Sequence, residues 1–167
     1  MLRPDVFDIR AALSAKHAQH VVLVHFPIAL FLTGVVFDFA AHWAKRANAT
    51  GTSAKWRIFE GTTLATAAYA NLLAAAVSAL PVVATGMMAW QWQLDGQRLR
   101  GVLLLHLVLG VVSGMLIGFV GWIHFRTGRT STRPLFPYRL PLEFIAALLI
   151  ILTGHLGGFL SGVNAPG

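Results

Sequence analysis

The chain has 167 residues, 56% hydrophobic and 11% charged, with a mean hydropathy of +0.68 and a formal net charge of +7. Hydropathy this far above that of soluble domains marks an integral membrane protein, and basic residues confined to stretches between apolar runs exclude a continuous nucleic-acid-binding stripe. The absence of cysteine excludes disulfides, thiolate zinc and iron–sulfur sites, covalent haem attachment and a cysteine nucleophile, so metal chemistry falls to His, Met, carboxylate or backbone groups.

Residues 1–19 lack a small-residue cleavage site, Asp5 and Asp8 interrupt their basic residues, and the apolar run that follows is of spanning length, so no cleaved signal peptide is expected. Val6, Ile9 and Leu13 share a helical face opposite Arg10. The segment either lies along the membrane surface or leads in as solvated chain.

The first span, residues 21–41, follows His20 and carries His25 in HVVLVHFPIAL. Imidazoles are costly in lipid and are usually kept there for a reason. Asp38 precedes His42 by one helical turn on the same face, so the expectation is a solvated interfacial pair, the alternative being a carboxylate that orients or protonates the ring. The second span, 64–90, contains Pro81, which removes a helical hydrogen bond and predicts a kink or tilt. Met87 and Met88 lie at its end, before the interfacial anchor Trp90-Gln91-Trp92.

The third span, 102–123, reads His106, Gly110, Gly114, Gly118 at steps of four, and Trp122 and His124 precede Arg126 as an aromatic and basic belt. The connector RTGRTSTRPLFPYRLP is basic and proline-punctuated and suits anionic lipid headgroups. The fourth span, 142–160, reads Gly154, His155, Gly157, Gly158, and Gly162 lies just beyond it. The organisation expected is therefore an N-terminal segment 1–19, a four-helix transmembrane domain 20–163 folded as an all-α up-down bundle, and a tail 164–167.

Basic residues set the orientation. Arg3, Arg10, Lys16, Arg98 and Arg100 stand on one side, while Lys45, Arg46, Lys55, Arg57, Arg126, Arg129, Arg133 and Arg139 stand on the other, which places both termini outside. His25, His106 and His155 then share one level, about 7 to 8 Å below the outer boundary at about 1.5 Å per residue. Helices 1 and 3 are diagonal partners in such a bundle, so a b-type haem held by two of His25, His106 and His155 is expected, with His25 and His106 preferred and His155 the substitute. Gly110, Gly114 and Gly158 would let a porphyrin edge approach the backbone; the alternatives are ordinary helix packing for the glycines and hydrogen-bonded structural roles for the imidazoles. A second haem on His42 and His124 is disfavoured, because His42 follows His25 by 17 residues and does not repeat its facing, whereas His124 follows His106 by 18. His17, His20 and His25 do not stack on one face as a copper or zinc site would require.

The box His20-x-x-x-x-His25-Phe26-Pro27-Ile28-Ala29-Leu30, the following Phe37-Asp38, Thr85-Gly86 with Trp90, His106, and Gly154-x-x-Gly157-Gly158 resemble a bacterial four-helix membrane family catalogued as domain of unknown function 2231. The likeness runs from His20 to Val163, with one departure: Val21 stands where members usually carry proline after the histidine. The resemblance implies a small protein of the bacterial inner membrane, in some members joined to or encoded beside redox modules, and no established reaction. The function expected is a membrane electron-transfer subunit with one b-type haem near the periplasmic face, linking a redox partner to the quinone pool. The rival is a cofactor-free accessory or scaffold subunit of a larger complex. In either case the chain has little loop surface for substrate chemistry of its own.

Overall fold

The structure, a computed structural model, is described for residues 16–49, 61–93, 98–128 and 138–160. These form four helices: α1 Lys16–Ala49, α2 Gly61–Gln93, α3 Gly101–Thr127 and α4 Arg139–Leu160. Most of the expected N-terminal segment, the tail and most of the basic connectors lie outside the described residues.

Each helix is long and apolar enough to cross a bilayer, over Gln19–Ala47, Thr62–Gln91, Gly101–Thr127 and Arg139–Leu160. About 20 residues would suffice, so the helices overshoot the apolar runs. In lipid a backbone group finds no water, and continuing the helix is the cheapest way to satisfy it. The helix therefore runs through both Pro27 and Pro81. One turn past Pro81, Thr85 donates its hydroxyl to the carbonyls of Pro81 at 2.8 Å and Val82 at 3.1 Å. α3 stops at Gly128, whose φ of +73° favours glycine and whose N–H donates to the His124 carbonyl at 2.9 Å.

The helices pack in ring order, α1 on α2, α2 on α3, α3 on α4, and α4 back on α1, so α1 and α3 are diagonal, as are α2 and α4. The most extensive contact is between α1 and α2. Small residues permit it: Ala68, Ala75 and Ala79 are buried, and Gly34 lies so close to α2 that a Cβ there would be 2.7 Å from Leu72 Cγ. The core combines Phe31 and Val35 with Leu72, Ala75 and Ala79, Ile117 and Val120, and Ala146, Ala147 and Ile150. Large apolar side chains such as Val36, Val77, Met115 and Ile151 face outward, as a lipid-facing surface requires.

The core fills only one half of the bundle, towards the end where α3 stops and α4 starts. None of the described residues 19–26, 80–91, 98–112 and 151–160 is buried. Trp43 and Trp122 are exposed at the packed end, and the Arg126 guanidinium lies 5.5 Å from the Trp122 ring centroid, in keeping with the expected aromatic and basic belt.

A Cβ at Gly121 would meet Ala76 Cβ at 2.6 Å, whereas one at Gly118 would meet nothing within 4 Å. Gly121→Ala should therefore force α2 and α3 apart and cost about 1 to 3 kcal/mol by overpacking, while Gly118→Ala leaves stability unchanged or slightly raised. Unfolding of the detergent-solubilised protein by titration with a denaturing detergent, followed by circular dichroism, separates the two variants.

Candidate functional site

Eighteen residues make five turns at about 100° per residue, so positions 18 apart lie on one stripe of a helix. His20 and Asp38 are so related on α1, Ala68 and Gly86 on α2, His106 and His124 on α3, and Arg139 and Gly157 on α4. Ala68, Asp38, His124 and Arg139 are buried, which makes these four stripes the inward faces of the bundle. The stripes carry one layer of functional groups at each end.

At the open end the layer alternates around the ring: His20 on α1, Gly86 on α2, His106 on α3, Gly157 on α4. His20 beds on Gly86, where a Cβ would come within 2.9 Å of its Cε1, and its Nδ1 lies 3.2 Å from Thr85 Oγ1. His106 beds in the same way on Gly157, with a Cβ there 3.1 Å from its Cε1, and its Nδ1 lies 3.2 Å from the Thr153 carbonyl. A carbonyl can only accept, so His106 Nδ1–H donates to Thr153, and in the neutral ring the lone pair is then on Nε2, a nitrogen that can bind a metal. Thr85 turns its own proton towards α2 carbonyls, which leaves its oxygen able to accept from His20 Nδ1–H.

His25, His106 and His155, expected as a common layer, are not gathered. Only His106 faces inward. His25 is exposed, about 120 to 140° around α1 from the buried Phe31 and Asp38, and donates Nδ1–H to the Val21 carbonyl of its own helix at 2.6 Å. His155 is also exposed and sits edge-on to Phe159 with ring centroids 5.0 Å apart. Facing depends on which stripe of each helix packs, and His20 rather than His25 lies on the packed stripe of α1; it also lies 18 residues before Asp38 as His106 does before His124, so it is His20, not His25, that stands level with His106. Of the expected glycines, Gly110 and Gly114 lie against side chains of neighbouring helices, Thr153 Cγ2 at 3.9 Å and Val83 Cγ2 at 3.5 Å from a built Cβ, and Gly158 is half-buried.

At the packed end the layer is ionic. Arg139 Nε lies 2.8 Å from Asp38 Oδ2 and 3.7 Å from Glu143 Oε1, and His124 Nε2 lies 2.9 Å from Glu143 Oε1. Exposure is 3% for Asp38, 5% for His124, 7% for Arg139 and zero for Glu143. The Arg139–Asp38 contact is an ion pair off the hydrogen-bond direction, and Glu143 Oε2 has no hydrogen-bond partner. Leaving a charge unpaired here costs several kcal/mol, which is the pressure that draws the four groups together.

Three expectations are corrected by this layer. His124 is buried against Glu143 instead of standing in the interfacial belt; Asp38 pairs with Arg139 across to α4 instead of with His42; and Arg139 is the buried first residue of α4 instead of a headgroup-facing loop residue. Glu143 escaped the sequence reading altogether. The signal was present, since an acidic residue inside an apolar span demands a partner, and the spacing of 18 from His20 to Asp38 repeats that from His106 to His124.

Residues 16–164 match a family model described as "Predicted membrane protein (DUF2231)". Neither the curated proteins nor the solved structures return a match.

Removing the guanidinium leaves two buried carboxylates facing one imidazole, so Arg139→Ala should lose about 3 to 5 kcal/mol. Asp38→Asn in the Arg139→Ala background should recover part of that loss, because it removes one of the uncompensated charges. The same detergent unfolding titration, run as a double-mutant cycle, reads both.

Proposed function

The chain belongs to the membrane-protein family DUF2231, and we propose that it is an electron-transfer subunit carrying one b-type haem at the open end of its bundle, between His20 and His106. The observation that carries the reading is the alternating layer: two imidazoles on diagonal helices, each held at Nδ1 by the neighbouring helix, and two glycines on the other diagonal. The two histidines would hold the haem iron and the two glycines would leave room for its ring.

The donor set fits the group. Thr85 Oγ1 and the Thr153 carbonyl contact the two rings at Nδ1, and each ring is steadied against a glycine of the next helix. The inward stripes of this half carry His20, His106, Gly86 and Gly157, and none of the described residues 19–26, 80–91, 98–112 and 151–160 is buried, in contrast to the Phe, Leu, Ile and Ala that fill the other half. A haem held by the two histidines would supply one-electron transfer there. The preferred pair on this geometry is His20 with His106, in place of His25 with His106.

The purified protein from haem-replete cells should give a dithionite-reduced minus oxidised spectrum with b-type bands and about one haem per chain, the stoichiometry of a single bis-histidine site. His20→Ala and His106→Ala should lose the low-spin spectrum, while His25→Ala and His155→Ala keep it. A colourless preparation sinks the reading and leaves the cofactor-free scaffold; loss in His25→Ala with retention in His20→Ala restores the alternative ligand.

The basic bias, seven residues beside the buried Arg139 against five, supports a packed end in the cytoplasm and a histidine layer on the periplasmic side of a bacterial inner membrane. There it would face a periplasmic or membrane redox partner and return electrons to, or draw them from, the quinone pool. Ser14→Cys and Ser131→Cys test the sidedness in a chain without native cysteine. In cells with a permeable outer membrane, an impermeant maleimide should label position 14 and spare position 131; the reverse pattern would invert the topology.

A further inference from the structure

We propose that the ionic layer at the packed end, Asp38, His124, Arg139 and Glu143, is a binding site for one exchangeable proton, held by the Asp38–Glu143 carboxyl pair with Glu143 Oε2 as its seat. The proposal is independent of the haem reading, which concerns the other end of the bundle.

Charge balance comes first. Arg139 is always protonated, and it neutralises one carboxylate, which by distance is Asp38 at 2.8 Å. Glu143 is left with its Oε1 against His124 Nε2 at 2.9 Å and its Oε2 without a partner, in a side chain with no exposure. An ionised carboxylate with an orphaned oxygen at that depth is an expensive arrangement. A neutral imidazole donating Nε2–H to Oε1 leaves the cluster one charge too negative, and a single proton taken from water onto Oε2 restores neutrality and turns the orphaned oxygen into a donor. The ligand-bearing atoms of Asp38, His124 and Glu143 lie within 4.8 Å of one another, so an acceptor for that donor is at hand in the Asp38 carboxyl.

The surroundings add no competing charge from α2, whose residues 61–93 include no Asp, Glu, Lys, Arg or His and one phenol, Tyr69. On α1 the half-buried His42 stands one turn beyond Asp38, followed by the exposed Lys45 and Arg46; on α3 the exposed Arg126 follows His124. A divalent cation is the other ligand that two carboxylates and an imidazole could hold, but the guanidinium already brings positive charge to within 2.8 Å of Asp38 and 3.7 Å of Glu143. The site lies towards the end where α3 finishes at Thr127 and α4 begins at Arg139.

Infrared spectroscopy of the full chain in vesicles of phosphatidylcholine and phosphatidylglycerol decides the matter. At neutral pH, where solvated carboxylates are ionised, the wild type should show a protonated carboxyl C=O band that shifts in deuterium oxide and disappears reversibly as the pH is raised. The band should vanish in Glu143→Gln and be displaced or lost in Asp38→Asn, with helicity checked by circular dichroism. Absence of the band from the wild type at neutral pH, a measurement that needs no variant, overturns the proposal. So does its full retention in Glu143→Gln. Equilibrium dialysis against zinc or manganese provides the remaining arm: one ion per chain, lost in the same two variants, would replace the proton by a metal.

Discussion

Arg139 occupies the first position of α4, where a helix entering lipid would ordinarily carry an apolar or snorkelling side chain, and its guanidinium is turned inward against Asp38 of α1. The same helix carries Glu143 one turn on, and Glu143 meets His124 of α3. Three of the four helices are thus tied at one level by groups that cannot be separated without stranding a charge in a medium that does not solvate it. Non-directional apolar packing would tolerate small rotations of each helix. An ion pair at 2.8 Å and an imidazole–carboxylate contact at 2.9 Å do not, so they set the rotation of α1, α3 and α4 about their own axes.

The core follows from that rotation. With Asp38 inward, Phe31, Val35 and Gly34 come inward with it; with His124 inward, Ile117, Val120 and Gly121 do likewise. α2, which carries no charge, joins by fit instead, through alanines that admit the neighbouring helices and glycines opposite Leu72 and Ala76. The association resembles membrane bundles generally in resting on close backbone approach and polar contacts, since lipid offers apolar side chains as good a neighbour as another helix does.

The same rotation carries five turns along each helix to the other end. There it brings His20 and His106 to the inward stripes of diagonal helices and Gly86 and Gly157 to the stripes between them. One half of the bundle is close-packed and ionic; the other presents imidazole, hydroxyl and glycine at its centre. A rigid packed half is what a site of fixed geometry at the other half requires, because ligand direction is then set by the helix axes and by the Thr85 and Thr153 anchors rather than by mobile chain.

The sequence by itself determined the solvent, the number of spans and the ring of four helices, because a bilayer leaves an apolar run of this length no other fold that satisfies its backbone. Facing was another matter. His25, in the more conspicuous position beside Phe26-Pro27, is exposed, while His20 at the margin of the apolar run faces inward, and nothing in the local pattern distinguishes them when all four helices are apolar around their whole circumference. The distinction came from elsewhere on the same helices. Asp38 and His124 had to find Arg139 and Glu143, and those pairings, made between residues far apart in the chain, are what only the tertiary structure decided.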